Sequence, residues 1–275
     1  MTPEDILNSP AVTQRLFFPR KTERTPLPAG AVDLDIKVAE GVTIGCRLFL
    51  ADKNASTILF FHGNGEIISD YDEIGPMYTA QNINLLVTDY RGYGWSDGSP
   101  SFSTLLADSH VLYRESKKYL ADQGYGPDLF VMGRSLGSAA AVELASTYDK
   151  ELKGLIIESG FAETLPLAET LGITVEEAEI SEKDTFNNIG KISKVTIPTF
   201  ILHGQNDSLI PLWQAQKLHA QCGARSKELQ VVPGADHNSL IMVGGIYYFQ
   251  AIRQFVDRVS GASDWRKRRK QYKEQ

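Results

Sequence analysis

The feature that most constrains the fold of this chain is a series of short, continuous apolar runs separated by longer amphipathic stretches. Apolar runs of about four to eight residues are typical of strands buried on both faces. Strand and helix alternate along the chain, which predicts the α/β fold class, with a parallel sheet, right-handed crossovers and helices on both faces. The predicted strands are residues 57–61, 84–88, 128–132, 152–158, 196–202 and 228–232, and the predicted helices are 66–81, 101–122, 135–148, 211–221 and 239–259.

Two further strands are predicted before the first apolar run. Residues 32–38 and 43–50 alternate apolar and polar side chains around a Glu-Gly turn, as expected of an antiparallel hairpin with one face in water. Upstream of the hairpin, an amphipathic stretch at 5–18 is followed by three prolines. This pattern predicts a helix and then an extended lead-in.

These patterns predict one domain with short appendages. We assign residues 1–30 to an N-terminal arm, 31–260 to a single α/β domain, and 261–275 to a basic C-terminal tail. Within the domain, residues 159–194 are longer than a helical crossover needs. Insertions of this length usually serve function, so a small cap is expected there.

Composition and charge exclude several classes of function. The 275-residue chain is 42% hydrophobic and 23% charged, which is ordinary for a globular protein. Its net charge of −6 disfavours nucleic-acid binding, because no excess of basic residues is present to neutralise phosphates. The two cysteines, Cys46 and Cys222, supply neither a disulfide framework nor a metal-binding pair. Because no His, Asp or Glu cluster has metal-ligand spacing either, we expect a protein without a metal or other cofactor.

The two ends of the chain bear on its location. Acidic residues stand near the N-terminus where a secretory signal would be basic, and no apolar segment is long enough to span a bilayer. We therefore expect a cytoplasmic protein. The residues from Trp265 onward are strongly basic, and most such runs are solvated chain ends. A weak peripheral contact with a membrane surface is the alternative for this tail, since a basic patch alone anchors poorly.

Residues 133–137 read Gly-Arg-Ser-Leu-Gly and lie between a predicted strand and a predicted helix. A strand-to-helix turn of this kind, the nucleophile elbow, needs glycines on both sides of the serine because larger side chains would collide there. Ser135 would have a strained backbone and stand at a helix N-terminus, where the dipole favours developing negative charge. Since Gly-x-Ser-x-Gly also arises by chance, the rest of the sequence must supply a base and an acid.

A hydrolytic serine needs a histidine to take its proton and an acid to orient that histidine. Asp207 and His237 each follow a predicted strand. Taken alone, Asp207 also suits a helix cap and His237 a solvated loop. Their joint position at the ends of successive strands favours catalysis, and the order Ser135, Asp207, His237 is not that of trypsin-like or subtilisin-like proteases.

Two other acids are candidate partners of the histidine. Glu158 ends another predicted strand and is the second candidate for the orienting acid. Asp236 directly precedes His237, and neighbouring side chains in a turn point apart, so it is the poorer candidate.

A tetrahedral intermediate also needs donors for its oxyanion, normally two backbone N–H groups. One is predicted at Leu136, directly after the nucleophile. The other is predicted in the run His-Gly-Asn-Gly-Glu at 62–66, whose glycines let the main chain approach the substrate oxygen closely. Asn64 is the preferred donor and Gly65 the alternative, whereas His62 is interpreted as a structural, hydrogen-bonded histidine.

A second glycine-rich segment, residues 89–98, follows the predicted strand at 84–88. Its spacing, Gly-x-Gly-x-x-x-Gly, departs from the dinucleotide-binding pattern, and no ribose-binding acid is evident downstream. The segment is therefore interpreted as a structural turn.

Taken in this order, the motifs resemble those of the α/β-hydrolase superfamily. Within it, the chain looks most like the α/β-hydrolase-domain serine hydrolases with a His-Gly-Asn loop, which include depalmitoylase-like members. The resemblance implies a mostly parallel eight-stranded sheet, helices on both faces, and a cap inserted after strand 6, matching 159–194. The motifs are His62-Gly63-Asn64-Gly65-Glu66, Asp89-x-Arg91-Gly92-x-Gly94-x-Ser96-x-Gly98, Gly133-x-Ser135-x-Gly137, His203-Gly204-x-x-Asp207 and Gly234-x-x-His237.

The sequence thus predicts a metal-independent serine hydrolase that cleaves an ester or thioester of a small-molecule acyl substrate. The acyl-enzyme would form on Ser135, with His237 as base and Asp207 as the orienting acid. An amidase or peptidase using the same three residues is the nearer alternative. A non-catalytic hydrolase scaffold that binds a ligand is an alternative of another class, and the presence of all three residues counts against it.

Overall fold

The computed structural model describes residues 2–173 and 180–261, and at its centre lies one eight-stranded sheet. The strands are Ala31–Ala39 (β1), Val42–Phe49 (β2), Thr57–Phe61 (β3), Asn84–Thr88 (β4), Leu129–Arg134 (β5), Leu155–Glu158 (β6), Thr199–Gly204 (β7) and Lys227–Val232 (β8). Their order across the sheet is β1-β2-β4-β3-β5-β6-β7-β8. Pairs β1–β2 and β2–β4 are antiparallel, and the other pairs are parallel. The predicted mostly parallel α/β sheet is confirmed.

Helices connect the parallel strands and cover both faces of the sheet. They are Pro3–Leu7 (α1), Pro10–Leu16 (α2), Gly75–Thr79 (α3), Phe102–Asp122 (α4), Gly137–Thr147 (α5), Thr164–Thr170 (α6), Asn188–Ile192 (α7), Leu212–Gln221 (α8), Leu240–Gly244 (α9) and Ile246–Ser260 (α10). Two short 3-10 turns lie at Ile68–Tyr71 and Glu182–Asp184. The longest helix, α4, begins after Ser101, whose side chain accepts a hydrogen bond from the Thr104 N–H and so caps the first turn.

Alternate residues of the central strands enter two separate apolar layers. In β3, Leu59 and Phe61 belong to the layer formed with α4 and α5, whereas Ile58 and Phe60 belong to the layer formed with α3 and α10. All four side chains are buried. Because both faces of the sheet are covered, β3 is apolar at every position after Thr57, which is why the sequence shows a continuous apolar run instead of alternation.

Two strands begin later than their apolar runs predict. β6 begins at Leu155, because the N–H of Leu152 instead donates to the carbonyl of Tyr148 and closes the turn after α5. β7 begins at Thr199, directly after Pro198. Proline has no N–H to give to a ladder, so it stands before the strand.

The prediction of one continuous helix at 66–81 is wrong. The structure has the 3-10 turn Ile68–Tyr71 and then the short α3, separated by irregular backbone. The first N–H of the 3-10 turn, that of Ile68, donates to the Asp89 side chain on another loop. Pro76 lies in the first turn of α3, where its ring is compatible with a helix start but not with a continuing helix.

Two other predicted helices are each divided in two. The stretch 239–259 is broken at Gly245, whose φ of +50° and ψ of −136° are accessible essentially only to glycine. The stretch 5–18 is divided into α1 and α2 before Pro10, which begins the second helix. In both cases, amphipathic periodicity continues across a residue that interrupts the backbone helix.

The insertion at 159–194 contains α6, the 3-10 turn Glu182–Asp184 and α7. Leu167 and Ile173 are buried against the core, and Leu165 and Leu171 are partly buried against it. Residues 174–179, which include the acidic run, lie outside the described residues. The apolar side chains of the described part therefore serve packing at least in part.

The basic tail falls mostly on 262–275, outside the described residues, so the boundaries at 1–30, 31–260 and 261–275 stay predictions. Among the helices that the structure describes, none combines the length and the apolar character needed to cross a membrane.

Glu143 on α5 joins three helices through its carboxylate. It lies 3.1 Å from Nε2 of His110 on α4 and 2.5 Å from Nζ of Lys191 on α7. The hydrogen bond from His110 and the charge of Lys191 lower the pKa of Glu143 from 4.5 to about 2, although partial burial opposes the change. A carboxyl group with a lowered pKa stabilises the fold above its ordinary pKa and loses that contribution as the pH falls toward the folded value.

We expect Glu143→Gln to flatten the acid side of the stability profile. Between pH 4.5 and about 2, the wild type should lose on the order of 2 kcal/mol that the variant does not lose, after allowance for solvent screening. Urea unfolding at a series of pH values measures this difference. The exposed Glu115 provides the control, since Glu115→Gln should leave the profile unchanged; equal profiles for both variants would contradict the assignment.

Candidate active site

Ser135 lies in the turn between β5 and α5, with φ of +50°. Its N–H donates to the carbonyl oxygen of Glu158 on the neighbouring strand at 2.9 Å. The flanking glycines have no room for a side chain. A Cβ on Gly137 would lie 2.1 Å from the carbonyl oxygen of Phe61, and one on Gly133 would lie 2.3 Å from the carbonyl oxygen of Gly137. The structure thus has the tight turn and strained serine backbone that the spacing of the glycines predicts.

A chain of two hydrogen bonds connects Ser135, His237 and Asp207. Nε2 of His237 lies 3.0 Å from Oγ of Ser135, and its Nδ1 lies 2.8 Å from Oδ2 of Asp207. With the proton on Nδ1, the ring donates to the carboxylate and presents Nε2 as an acceptor for the serine hydroxyl. The three residues come from the loops after β5, β8 and β7, which meet because the carboxyl ends of parallel strands share one edge of the sheet.

Asp207 is itself held in place by its own loop. Its Oδ1 accepts hydrogen bonds from the N–H groups of Leu209 at 3.1 Å and Ile210 at 2.8 Å. This leaves Oδ2 directed at His237. The buried His203 lies 3.4 Å from the same carboxylate and contacts the Ile210 carbonyl through Nε2. Burial lowers the pKa of His203, which favours the neutral ring beside the acid.

The two rival acids lie elsewhere. Glu158 accepts a 2.6 Å hydrogen bond from the hydroxyl of Tyr248 and lies 3.3 Å from Nε of Arg134. Asp236 accepts hydrogen bonds from the N–H groups of the two residues after His237. Asp207 is therefore the carboxylate that the structure brings to the imidazole.

The β3 loop comprises residues 62–66, directly after β3. The N–H of Gly63 donates to Oε2 of Glu66 at 2.7 Å and is thereby occupied. In the described part of the chain, the N–H groups of Asn64 and Leu136 donate to no other protein group. An oxyanion donor must have no other acceptor, and both predicted N–H groups meet this requirement.

His62 is buried, and its ring nitrogens contact Asp89 at 3.0 Å and the carbonyl of Gly63 at 2.8 Å. Its carbonyl oxygen accepts a hydrogen bond from the Tyr90 hydroxyl. These contacts connect the start of the β3 loop to the loop after β4, as expected of a structural histidine.

Arg134 is a residue of the site that sequence reasoning missed. Its guanidinium forms ion pairs with Glu66 and Glu158 and donates hydrogen bonds to the His237 carbonyl at 2.9 Å and to Oδ1 of Asn238 at 3.2 Å. The only sequence signal was its position directly before the serine. It connects the β3 loop, the elbow and the histidine loop.

Burial and the charge of Arg134 shift the pKa values of Glu66 and Glu158 in this network. Burial by itself would raise the pKa of Glu66, but the charge of Arg134 and the hydrogen bond from Tyr71 hold it below its usual range. Burial raises the pKa of Glu158, and Arg134 only partly offsets this. Arg134 and Tyr71 thus favour the ionised form of Glu66, whereas burial opposes ionisation of Glu158.

A cavity of about 310 Å³ borders the same loops. Arg134 and Glu158 form part of its polar lining and Met242 part of its apolar lining, whereas Ser135 and His237 are not among its lining residues. The cavity is therefore a neighbour of the hydrogen-bonded serine and not the space directly above it. Within residues 2–173 and 180–261, no group of three His, Cys, Asp or Glu side chains is placed to hold a metal ion.

The chain is similar in sequence to known hydrolases. The profile of the family described as serine aminopeptidase, S33, matches residues 52–175. Alpha/beta hydrolase domain-containing protein 17B of Homo sapiens is 31% identical over 227 residues, which cover 80% of this chain and 73% of that protein. The 17B protein of Xenopus tropicalis is 32% identical with the same coverage.

Solved structures are similar in fold. The esterase Pf2001 of Pyrococcus furiosus has a TM-score of 0.71 at 19% identity and covers 87% of this chain and 98% of its own. A soluble variant of monoglyceride lipase from Saccharomyces cerevisiae has a TM-score of 0.67 at 17% identity, with 86% and 96% covered. At such low identity these likenesses support the shared fold.

Removing the Arg134 charge should cost far more stability than removing a surface charge. Arg134→Met leaves the buried Glu158 and the half-buried Glu66 without their cation, so we expect a loss of about 3 kcal/mol in the free energy of unfolding. Arg24→Met breaks the exposed 2.7 Å pair with Asp35 and should cost less than about 1 kcal/mol. Urea unfolding at neutral pH compares the two, and equal losses would argue against a buried ionic network.

Proposed function

The chain belongs to the α/β-hydrolase superfamily, within the family of the alpha/beta hydrolase domain-containing 17 proteins, and from this premise we propose that it cleaves a carboxylic ester or thioester through an acyl-enzyme intermediate. It is a hydrolase of the esterase and lipase type. The proposal adds the bond that is cleaved and the residues that cleave it.

The observation that carries the proposal is the serine–histidine–aspartate chain, with distances of 3.0 and 2.8 Å. A serine hydroxyl is a weak nucleophile unless a base takes its proton as it attacks. The side chains of Ser135, His237 and Asp207 are each less than a tenth exposed. Few water molecules therefore compete for these hydrogen bonds, and the geometry is held before substrate arrives.

In the acylation step, Nε2 of His237 takes the proton of Ser135 while Oγ attacks the acyl carbon. The carbonyl oxygen becomes an oxyanion that accepts hydrogen bonds from the N–H groups of Leu136 and Asn64. His237 then gives its proton to the departing alcohol or thiol, and the C–O or C–S bond breaks. Asp207 holds the ring in the productive tautomer and stabilises the imidazolium.

Deacylation repeats the same proton transfers with water. His237 takes a proton from the water molecule as its oxygen attacks the acyl-enzyme, and the second tetrahedral intermediate uses the same N–H donors. Collapse of that intermediate breaks the bond to Oγ, which regains its proton from His237. The products are a carboxylic acid and the free enzyme, and no metal or cofactor is needed in either step.

Amide cleavage is the second candidate, and one observation favours it. The family profile that matches residues 52–175 is described as a serine aminopeptidase. The same three residues serve both reactions, because ester and amide hydrolysis differ mainly in the leaving group that the imidazolium must protonate. Rates on p-nitrophenyl esters and p-nitroanilides of the same acyl group separate the two candidates.

A fluorophosphonate probe tests whether Ser135 is an activated nucleophile. We expect labelling of the wild type and none of Ser135→Ala, because the probe loses fluoride to an activated serine oxygen. Intact-mass measurement counts the adducts, and we expect one per chain. Folded wild-type protein that resists the probe would favour a non-catalytic scaffold, and labelling that persists in Ser135→Ala would place the nucleophile elsewhere.

The roles of the two buried acids are separated by paired substitutions. Asp207→Asn should lower kcat for p-nitrophenyl acetate by roughly a thousandfold or more, because the wrong tautomer of His237 becomes favoured. Glu158→Gln keeps an oxygen for the Tyr248 hydroxyl and should change kcat less than about tenfold. A larger loss for Glu158→Gln than for Asp207→Asn would reverse the assignment.

A further inference from the structure

The N-terminal arm packs directly against the β3 loop. Helix α2 ends at Leu16, and the chain continues in an extended conformation through Phe17. Leu16 and Phe17 are both buried, which anchors the arm on the body of the protein. Phe18 remains half exposed. It lies close to the β3 loop, since a Cβ added to Gly65 would be 3.9 Å from the Cβ of Phe18.

The side chain of Asn64 forms two hydrogen bonds with the backbone of the arm. Its Nδ2 donates to the carbonyl oxygen of Leu16 at 2.7 Å, and its Oδ1 accepts from the N–H of Phe18 at 2.9 Å. The amide group thus pairs with one donor and one acceptor two residues apart, as a neighbouring strand would. Among uncharged side chains of this length, an amide is the group that offers both partners at once.

Tyr93 holds the same amide through its hydroxyl. Its hydroxyl donates to Oδ1 of Asn64 at 2.7 Å and accepts from the N–H of Phe18 at 3.0 Å. Burial raises the pKa of Tyr93, so the hydroxyl keeps its proton and remains a donor. The glycine-rich segment 89–98, which carries Tyr93, therefore helps to position the β3 loop.

Arg20 of the arm binds the next residue of the loop. Its Nη1 donates to the carbonyl oxygen of Gly65 at 3.0 Å and forms a 2.6 Å ion pair with Asp70. Two consecutive residues of the β3 loop, Asn64 through its side chain and Gly65 through its carbonyl, are thus held by the arm.

These contacts restrain the orientation of Asn64 and, with it, the direction of its backbone N–H. With the side-chain amide held at three points, rotation of the residue would break hydrogen bonds to Leu16, Phe18 and Tyr93. The N–H itself donates to no other group in the described part of the chain. A donor of this kind stabilises an oxyanion effectively only if its direction is set before the reaction begins.

We propose that residues 16–20 of the arm are a positioning element for the oxyanion donor, acting through the side chain of Asn64. The proposal rests on the proposed hydrolase function and adds a second role to Asn64. Its backbone N–H binds the oxyanion, and its side chain takes its orientation from the arm. Residues 16–20 then position a catalytic donor in addition to covering the core, whereas the part of the arm around Asn8 binds Ser103 and, among the described residues, forms no hydrogen bond with the β3 loop.

The test compares two asparagines that both hold the arm. Asn64→Ala removes the clamp at the β3 loop and keeps the backbone N–H. Asn8→Ala removes the contacts of Asn8 Oδ1 with the N–H and hydroxyl of Ser103 at 3.0 and 3.2 Å. Both variants loosen the arm by similar numbers of hydrogen bonds, but only one of them touches the loop.

Two readouts are measured on each variant, with urea unfolding to confirm that both are folded. The first is kcat and KM for p-nitrophenyl acetate. The second is inhibition by a trifluoromethyl ketone, to whose carbonyl carbon Ser135 Oγ adds while its proton passes to His237 and the ketone oxygen becomes the oxyanion. A merely structural loss does not weaken this inhibitor in proportion to kcat, whereas a misplaced oxyanion donor does.

We expect Asn64→Ala to lower kcat about 10- to 100-fold with KM nearly constant, somewhat less than complete loss of a donor. Its inhibition constant for the trifluoromethyl ketone should rise by a similar factor, and Asn8→Ala should remain within about twofold of wild type in both readouts. Equal effects of the two variants, or a loss of kcat without weaker inhibition, would overturn the proposal.

Two further variants keep the outcome interpretable. If Asn64→Ala does not fold, Tyr93→Phe removes a single hydroxyl from the clamp and should still lower kcat and inhibitor affinity together, by about threefold or more. An unchanged Tyr93→Phe would then overturn the proposal. Ser135→Ala distinguishes failure of the proposed function from failure of the proposed role of the arm. If Ser135→Ala still hydrolyses the ester, the proposed function is refuted. If Ser135→Ala is inactive but Asn64→Ala keeps wild-type kcat and inhibitor affinity, only the role of the arm is refuted.

Discussion

The left-handed backbone of Ser135 is the constraint on which the rest of the site depends. A non-glycine residue at φ of +50° costs on the order of 1–3 kcal/mol and persists only where its surroundings enforce it. Here the Ser135 N–H is bound by the neighbouring strand, and Gly137 lets the start of α5 approach the carbonyl of Phe61. Any larger residue at 137 would push the helix from the strand and withdraw Oγ from the imidazole.

The strained turn is useful only because other loops meet it at the same sheet edge. His237 follows β8 and Asp207 follows β7, and parallel pairing brings their loops beside the elbow. Arg134 then connects three of these segments, through Glu66 in the β3 loop, Glu158 on β6 and the carbonyl of His237. Buried opposite charges stabilise a structure only when each charge has a partner, because an unpaired charge removed from water costs more free energy than it returns. The network therefore couples the geometry of the elbow to that of the histidine loop.

Much of this could be predicted from the sequence, and the failures have identifiable causes. The strands 57–61 and 84–88 agree with β3 and β4 because apolar runs report burial directly. The helix predicted at 66–81 is interrupted before α3, which carries Pro76 in its first turn, and the helix predicted at 239–259 is interrupted at Gly245, since periodicity reports which face is apolar and not whether the backbone can continue. The position of Arg134 directly before the serine did not reveal its role, because its partners Glu66, Glu158 and His237 are distant in the chain.

The sequence by itself determined the α/β sheet, the elbow with its two glycines, and which serine, aspartate and histidine follow strand ends. These properties depend on local backbone sterics and on burial, both of which residue types record. Only the tertiary structure decided that Asp207 and not Glu158 contacts His237, and that the arm binds Asn64. Such contacts join residues tens of positions apart in directions that no local pattern specifies. They become visible only when the strands have their order and the loops meet.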